Sequence, residues 1–162
     1  MNRVRISTDS HIKTLEFGEQ LGRYLKSRDI VLLYGDLGSG KTTLTKGICR
    51  GLGVSEDEYI RSPSFTLVNI YQGDLTVNHI DLYRLDSLNE IEELGLEENL
   101  FSSSVSIIEW AEKLGEVTEP GTNLGLGIDE RIEIRITIDA KSSRTFDIRV
   151  ISEYQRSLPH IL

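Results

Sequence analysis

The stretch Ile30-Val31-Leu32-Leu33-Tyr34-Gly35-Asp36-Leu37-Gly38-Ser39-Gly40-Lys41-Thr42 decides the fold of this 162-residue chain. Its first five residues read as a buried strand, and the eight that follow satisfy G-x-x-x-x-G-K-[ST] where that strand should give way to a helix. The helix is expected from Lys41 to about Arg50, with Leu44, Ile48 and Leu52 facing inward and Gly51 and Gly53 ending it. In such a strand–turn–helix unit, successive backbone N–H groups from Gly38 to Thr43 can point at phosphate oxygens, with the positive end of the helix behind them. Gly38, Ser39, Gly40, Lys41, Thr42 and Thr43 are therefore the expected nucleotide-binding residues. Lys41 would place its charge on the β- and γ-phosphates, and the Thr42 hydroxyl would be a ligand to Mg²⁺. The plain alternative is a glycine turn carrying a surface lysine.

On the N-terminal side, a short strand is expected near Arg3 to Ser7. The Thr8-Asp9-Ser10 cluster then opens a helix with Ile12, Leu15, Leu21 and Leu25 on its apolar face, and Gly18 and Gly22 permit close packing. On the C-terminal side, Thr66 to Tyr71 and Leu75 to Tyr83 form a hairpin about Gln72-Gly73-Asp74. An amphipathic helix spans Leu88 to Leu100, and Val105 to Ile108 is a short apolar strand. Ile132, Ile134, Ile136 and Ile138 alternate with polar residues, as do Phe146, Ile148 and Val150 across the turn Asp139 to Ser143, giving a second, half-exposed hairpin. The expected architecture is α/β, with a P-loop NTPase fold: a parallel core sheet, antiparallel strands at its edges and helices on both faces. Residues 1–152 form that domain, and 153–162 a C-terminal tail.

Composition agrees with one core. The chain is 38% hydrophobic and 27% charged, and a domain of this size buries about 70% of its unfolded surface without help from disulfides. The lone Cys49 is expected in the core. One cysteine, no charged-then-apolar leader and no apolar run near the roughly 20 residues of a membrane span point to the cytoplasm and away from membranes. The net charge of -8 would repel a polyanion, and Asp86, Glu90, Glu92, Glu93, Glu97 and Glu98 stand together without a Lys or Arg between them. Contact with nucleic acid must then be local or indirect.

Acids at strand ends are the next requirement of Mg-nucleotide chemistry. Glu109 directly follows Val105-Ser106-Ile107-Ile108, the setting of a Walker B carboxylate. Asp81 lies on the second strand of the first hairpin, where a period of two places Val77, His79, Asp81 and Tyr83 on one face. A salt bridge to Arg84 is the structural alternative for Asp81, a satisfied structural histidine the favoured reading of His79, and core packing that of Trp110. Ser62-Pro63-Ser64-Phe65-Thr66 is a hydroxyl-rich segment where many P-loop proteins carry a γ-phosphate-sensing switch.

Four motifs, Gly35 to Thr43, Ser62 to Val68, His79 to Leu85 and Ile108 to Lys113, resemble in order those of TsaE, the bacterial ATPase of tRNA threonylcarbamoyladenosine synthesis. The resemblance covers about Thr8 to Lys113. Beyond it, Glu119 to Glu130 is a longer glycine-rich connection than is usual in that family. Ser39 and Ser64 stand where alanine and threonine are commoner. The resemblance implies Mg-dependent ATP binding and hydrolysis that is slow alone and stimulated by partners. Those partners are the TsaD and TsaB subunits, which transfer the threonylcarbamoyl group to ANN-decoding tRNAs, so that tRNA contact is mainly indirect. It also implies Lys41, Asp81 and Glu109 as catalytic residues, Thr42 and Glu109 as Mg²⁺ ligands, and an adenine near His11 and Thr14. Two other readings stay open: a nucleotide-gated binding module and a small-molecule P-loop kinase, although no arginine-bearing lid is evident. The Asn-Lys-x-Asp motif of a signalling GTPase is absent.

Overall fold

The computed structural model describes residues 2–115 and 124–152. The expected tail at 153–162 and the first part of the connection from Glu119 lie outside the described residues. In chain order the elements are β1 (Asn2–Thr8), α1 (His11–Tyr24), β2 (Ile30–Tyr34), α2 (Lys41–Gly51), β3 (Val68–Tyr71) and β4 (Val77–Asp81). They are followed by α3 (Leu88–Glu93), α4 (Glu97–Leu100), β5 (Val105–Glu109), β6 (Arg131–Ile138) and β7 (Arg144–Ile151). Short 3₁₀ turns at Ala111–Leu114 and Gly125–Gly127 flank the segment between β5 and β6.

The seven strands form one mixed sheet in the order β1-β7-β6-β2-β5-β4-β3. β6, β2, β5 and β4 run parallel, β7 and β1 extend one side antiparallel, and β3 closes the other edge antiparallel to β4. β2, β4 and β5 are buried along their whole length; β2 and most of β5 read as apolar runs for that reason, whereas β4 buries the polar Asn78, His79 and Asp81 among its five residues.

Helices cover both faces. Phe17 and Leu21 of α1 and Leu44, Ile48 and Cys49 of α2 pack on Val31, Leu33, Val105, Ile107, Ile134 and Phe146. On the opposite face Ile91, Leu96, Leu100 and Leu114 pack on Leu32, Ile80 and Ile108. α1 and α2 meet backbone to backbone: a methyl group at Gly18 would lie 2.7 Å from the Leu44 carbonyl oxygen and 2.9 Å from Gly47 Cα, and one at Gly22 2.9 Å from Gly51 Cα. Two glycines on each helix thus define a contact that no side chain could enter.

Three expectations need correction. Ile12 is 67% exposed, and Phe17, its ring tilted against that of Phe146 with centroids 5.0 Å apart, takes the place in the core assigned to it. The helix expected over Leu88 to Leu100 breaks into α3 and α4, because Gly95 adopts φ +65°, a conformation that ends a helix. The second hairpin forms, but the first half of β6 is buried on both faces: Arg131 and Glu133 pair there, Nε donating to Oε1 at 2.8 Å, and Arg131 Nη1 donates to the carbonyls of Ile128 and Asp129. A half-exposed pattern fits β7 and the end of β6 only.

Candidate active site

The carboxyl ends of β2, β5 and β4 and the amino end of α2 converge on one cleft of about 410 Å³, within the range of small-molecule sites. Register explains the convergence. Asp81 is paired with Glu109 across β4 and β5, and Glu109 with Leu33 across β5 and β2, so two carboxylates end neighbouring strands beside the turn that leaves β2.

That turn is shaped by glycine. Gly38 (φ +76°) and Gly40 (φ +107°) adopt the left-handed region, and a methyl group at either would meet nothing within 4 Å, since both face open space. The first α2 bond runs from Leu44 N–H to Gly40 O at 2.9 Å, leaving the N–H groups of Lys41, Thr42 and Thr43 without intrahelical acceptors. The Lys41 ammonium folds back onto the carbonyls of Gly35 (2.6 Å) and Asp36 (3.0 Å) and lies 4.1 Å from the centre of the Trp110 ring. Burial pushes its pKa below the ordinary lysine value, while Glu109, Glu112, Asp81 and Asp36 oppose that shift.

Thr42 Oγ1 donates to both Glu109 oxygens, at 3.0 and 3.2 Å. Glu109 is 2% exposed, and behind it the fully buried His79 places Nε2 2.7 Å from Oε1. His79 Nδ1 is buried without a partner, so the ring hydrogen belongs on Nε2, where it has an acceptor. Asp81 accepts hydrogen bonds from the Ser62 hydroxyl and, at 2.8 Å, from Tyr83 N–H. Its alternative partner Arg84 instead lies 3.9 Å over the Phe65 ring.

Every residue expected at the site, from Gly38 to Thr43 together with Asp81 and Glu109, lines this cleft, as do Ser62 and Ser64. His11 and Thr14 do not; the Thr14 hydroxyl is engaged by Thr8 and by the Ser10 carbonyl. Trp110, expected as packing, also lines the cleft, 4.9 Å from the Tyr83 ring, with a left-handed backbone (φ 58°, ψ 42°) that costs a bulky residue about 1–3 kcal/mol. Two further residues were not foreseen. Glu112, inside the last motif, accepts the Gly35 N–H at 2.8 Å, and Arg144, outside every motif, donates to the carbonyls of Ser39 and Gly38.

A row of unengaged N–H groups, a desolvated ammonium and two open glycines is a fit for phosphate oxygens. The hydroxyl of Thr42 with the carboxylate of Glu109 is an all-oxygen donor set of the kind Mg²⁺ takes when substrate oxygens complete its shell.

The molecule is thus a mixed α/β protein with a glycine-rich turn, a helix amino terminus and two strand-end carboxylates in one cleft. Residues 8–158 match the family model described as threonylcarbamoyl adenosine biosynthesis protein TsaE. The chain belongs to the TsaE family. It is 42% identical over 111 residues to the tRNA threonylcarbamoyladenosine biosynthesis protein TsaE of Treponema pallidum, covering 68% of this chain and 81% of that one. With the Streptomyces coelicolor protein of the same name it shares 39% over 150 residues, 85% and 98% of the two chains. The crystal structure of Bacillus subtilis YdiB superposes with a TM-score of 0.74 at 27% identity, over 93% of this chain and 87% of that one.

Proposed function

We propose that this chain is a P-loop ATPase that binds Mg-ATP in the cleft and hydrolyses it in support of tRNA threonylcarbamoyladenosine synthesis. The observation that carries the reading is the direct contact of Thr42 with Glu109, beside a turn whose free N–H groups and lysine face the same space. In this assignment Gly38 to Thr43 hold the phosphates, and Thr42 and Glu109 hold Mg²⁺. Bound there, Mg²⁺ would offset phosphate charge and align the γ-phosphoryl group. Lys41 would exchange its two carbonyl acceptors for phosphate oxygens, and His79 would keep Glu109 aimed at Thr42. Asp81 would link the site to the 62–66 segment through Ser62.

Family membership supports TsaD and TsaB as the partners, with the transfer to tRNA belonging to them. The acidic surface suits a subunit that leaves tRNA to others. Phe65 is 81% exposed and Leu37 76% exposed at the rim, so the site is open to water, and docking would close it and raise turnover. The Ser62–Asp81 contact favours a second reading, in which ATP occupancy alone sets affinity for the partners. Hydrolysis is measured with and without added TsaD and TsaB, and assembly is measured with ATP and with a non-hydrolysable analogue. Saturable stimulation supports the first reading, and assembly by the analogue without stimulated turnover supports the second. No ATP binding in any mixture would overturn both.

A further inference from the structure

We propose that Arg144 is a positioning residue for the glycine-rich turn, and that the β6–β7 hairpin is the mount from which it acts. This rests on the reading of that turn as a phosphate site. Arg144 opens β7, opposite Ile138 of β6 and Thr8 of β1, at the end of the sheet where the cleft lies. Its Nη1 donates to the carbonyls of Ala140 (3.1 Å) and Ser143 (3.0 Å), which fixes the guanidinium to its own hairpin. The other edge of the fork reaches over a hundred residues back along the chain, Nε donating to Ser39 O at 2.9 Å and Nη2 to Gly38 O at 3.2 Å.

Holding those two carbonyls settles where the adjoining amides point. In a trans peptide the C=O and the following N–H point in opposite directions. Anchoring Ser39 O on the hairpin side therefore turns the Gly40 N–H away from the hairpin, toward the cleft. Anchoring Gly38 O likewise holds the Ser39 N–H in its 3.0 Å bond to Asp36 O. The turn contains Gly35, Gly38 and Gly40, and glycine loses the most conformational freedom on ordering, so an external clamp has much to restrain. A planar fork spanning consecutive carbonyls is a task for arginine, which lysine's single ammonium does not reproduce. Arg144 does not line the cleft, so its effect on a phosphate passes through the backbone.

Two substitutions test this: Arg144→Met, which keeps the stem and removes every donor, and Arg144→Lys, which keeps the charge and can reach one carbonyl. Calorimetry reads the affinity for ATP and for inorganic tripolyphosphate, and amide hydrogen exchange reads residues 38–43 in the nucleotide-free protein. In Arg144→Met both ligands should bind about tenfold more weakly, amides of 38–43 should exchange faster, and the thermal midpoint should stay near that of the parent. Arg144→Lys should fall between, and it decides the matter should the Met variant not fold. Parental affinity and exchange in a folded variant would overturn the proposal, as would a loss that comes with a collapsed midpoint and faster exchange throughout the chain. If the parent itself binds neither ATP nor tripolyphosphate, the phosphate reading is what fails; the exchange of 38–43 then still shows whether Arg144 holds the turn.

Discussion

Replacing Gly22 by alanine sets two effects of opposite sign against each other. Gly22 lies inside α1, where alanine is the better helix former by about 1 kcal/mol. Its new methyl group would, however, press on the Ile48 carbonyl, 3.1 Å from that carbon and 2.9 Å from Gly51 Cα. Those neighbours are backbone, so relief requires α1 and α2 to move apart by a substantial fraction of an ångström. Such movement loosens the contacts of Phe17, Leu21, Leu44 and Ile48, all fully buried. Overpacking of this kind costs about 1–3 kcal/mol, and with no soft side chain to yield we take the upper end. The net expectation is a destabilisation of about 2 kcal/mol, which for a domain of this size lowers the thermal midpoint by about 4–8 °C. Calorimetric melting of Gly22→Ala beside the parent measures it. An unchanged or higher midpoint would mean that helix propensity decides and that the glycine pairing is not a constraint.

Lys41→Ala should weaken ATP binding by about tenfold or more while the fold survives, since the ammonium contacts two carbonyls of its own turn and the face of the Trp110 ring and holds no core contact; titration and circular dichroism read the two. Glu109→Gln and Asp81→Asn should lower turnover by about tenfold or more with a smaller loss of Mg-ATP affinity, and parental turnover in either would remove its assigned role. Charge reversal at the exposed Glu92, Glu93 and Glu97 should reduce stimulation by TsaD and TsaB and spare basal ATP binding; intact stimulation would exclude that surface as a docking face. Burial raises the Cys49 thiol from 9.0 to about 12, so the unfolded chain releases that proton first and stability falls as pH climbs through this window. Denaturation at pH 8 and pH 10 should show Cys49→Ala losing about 1 kcal/mol less than the parent, and parallel losses would refute the assignment.

The strand, turn and helix from Ile30 to Gly51 were legible because each residue choice there serves a local rule. The same holds for Glu109, placed by the apolar run before it. Ile12 misled because apolar spacing ignores where the neighbouring helix lies, and the Gly18–Gly47 approach rotates α1 so that Phe17 faces inward. Gly47 itself carried no turn or stop signal, and only its contact with α1 explains it. β6 misled for a related reason: Arg131 and Glu133 alternate like a wet face, yet Arg131 Nε is paired with Glu133 and its Nη1 with the carbonyls of Ile128 and Asp129, and both side chains are buried. Arg144 was invisible because its partners, two backbone carbonyls of another segment, leave no trace in side-chain pattern. The sequence reads His79 as a satisfied structural histidine; it is buried, but its Nδ1 lacks a partner, and its contact with Glu109 depends on the β4–β5 register, which emerges only when the sheet is assembled.

Trp110 is the chain's sole tryptophan, and it stands with its ring 4.1 Å from the Lys41 ammonium. All indole emission from this protein therefore originates at one address, the mouth of the cleft. An ammonium against the ring face perturbs the excited indole, and a polyanion that draws the ammonium away removes the perturbation. On the proposed reading, the arrival of phosphate, the exchange of its metal and the docking of a partner over the rim would each be followed as a change in light, in unlabelled protein and in real time.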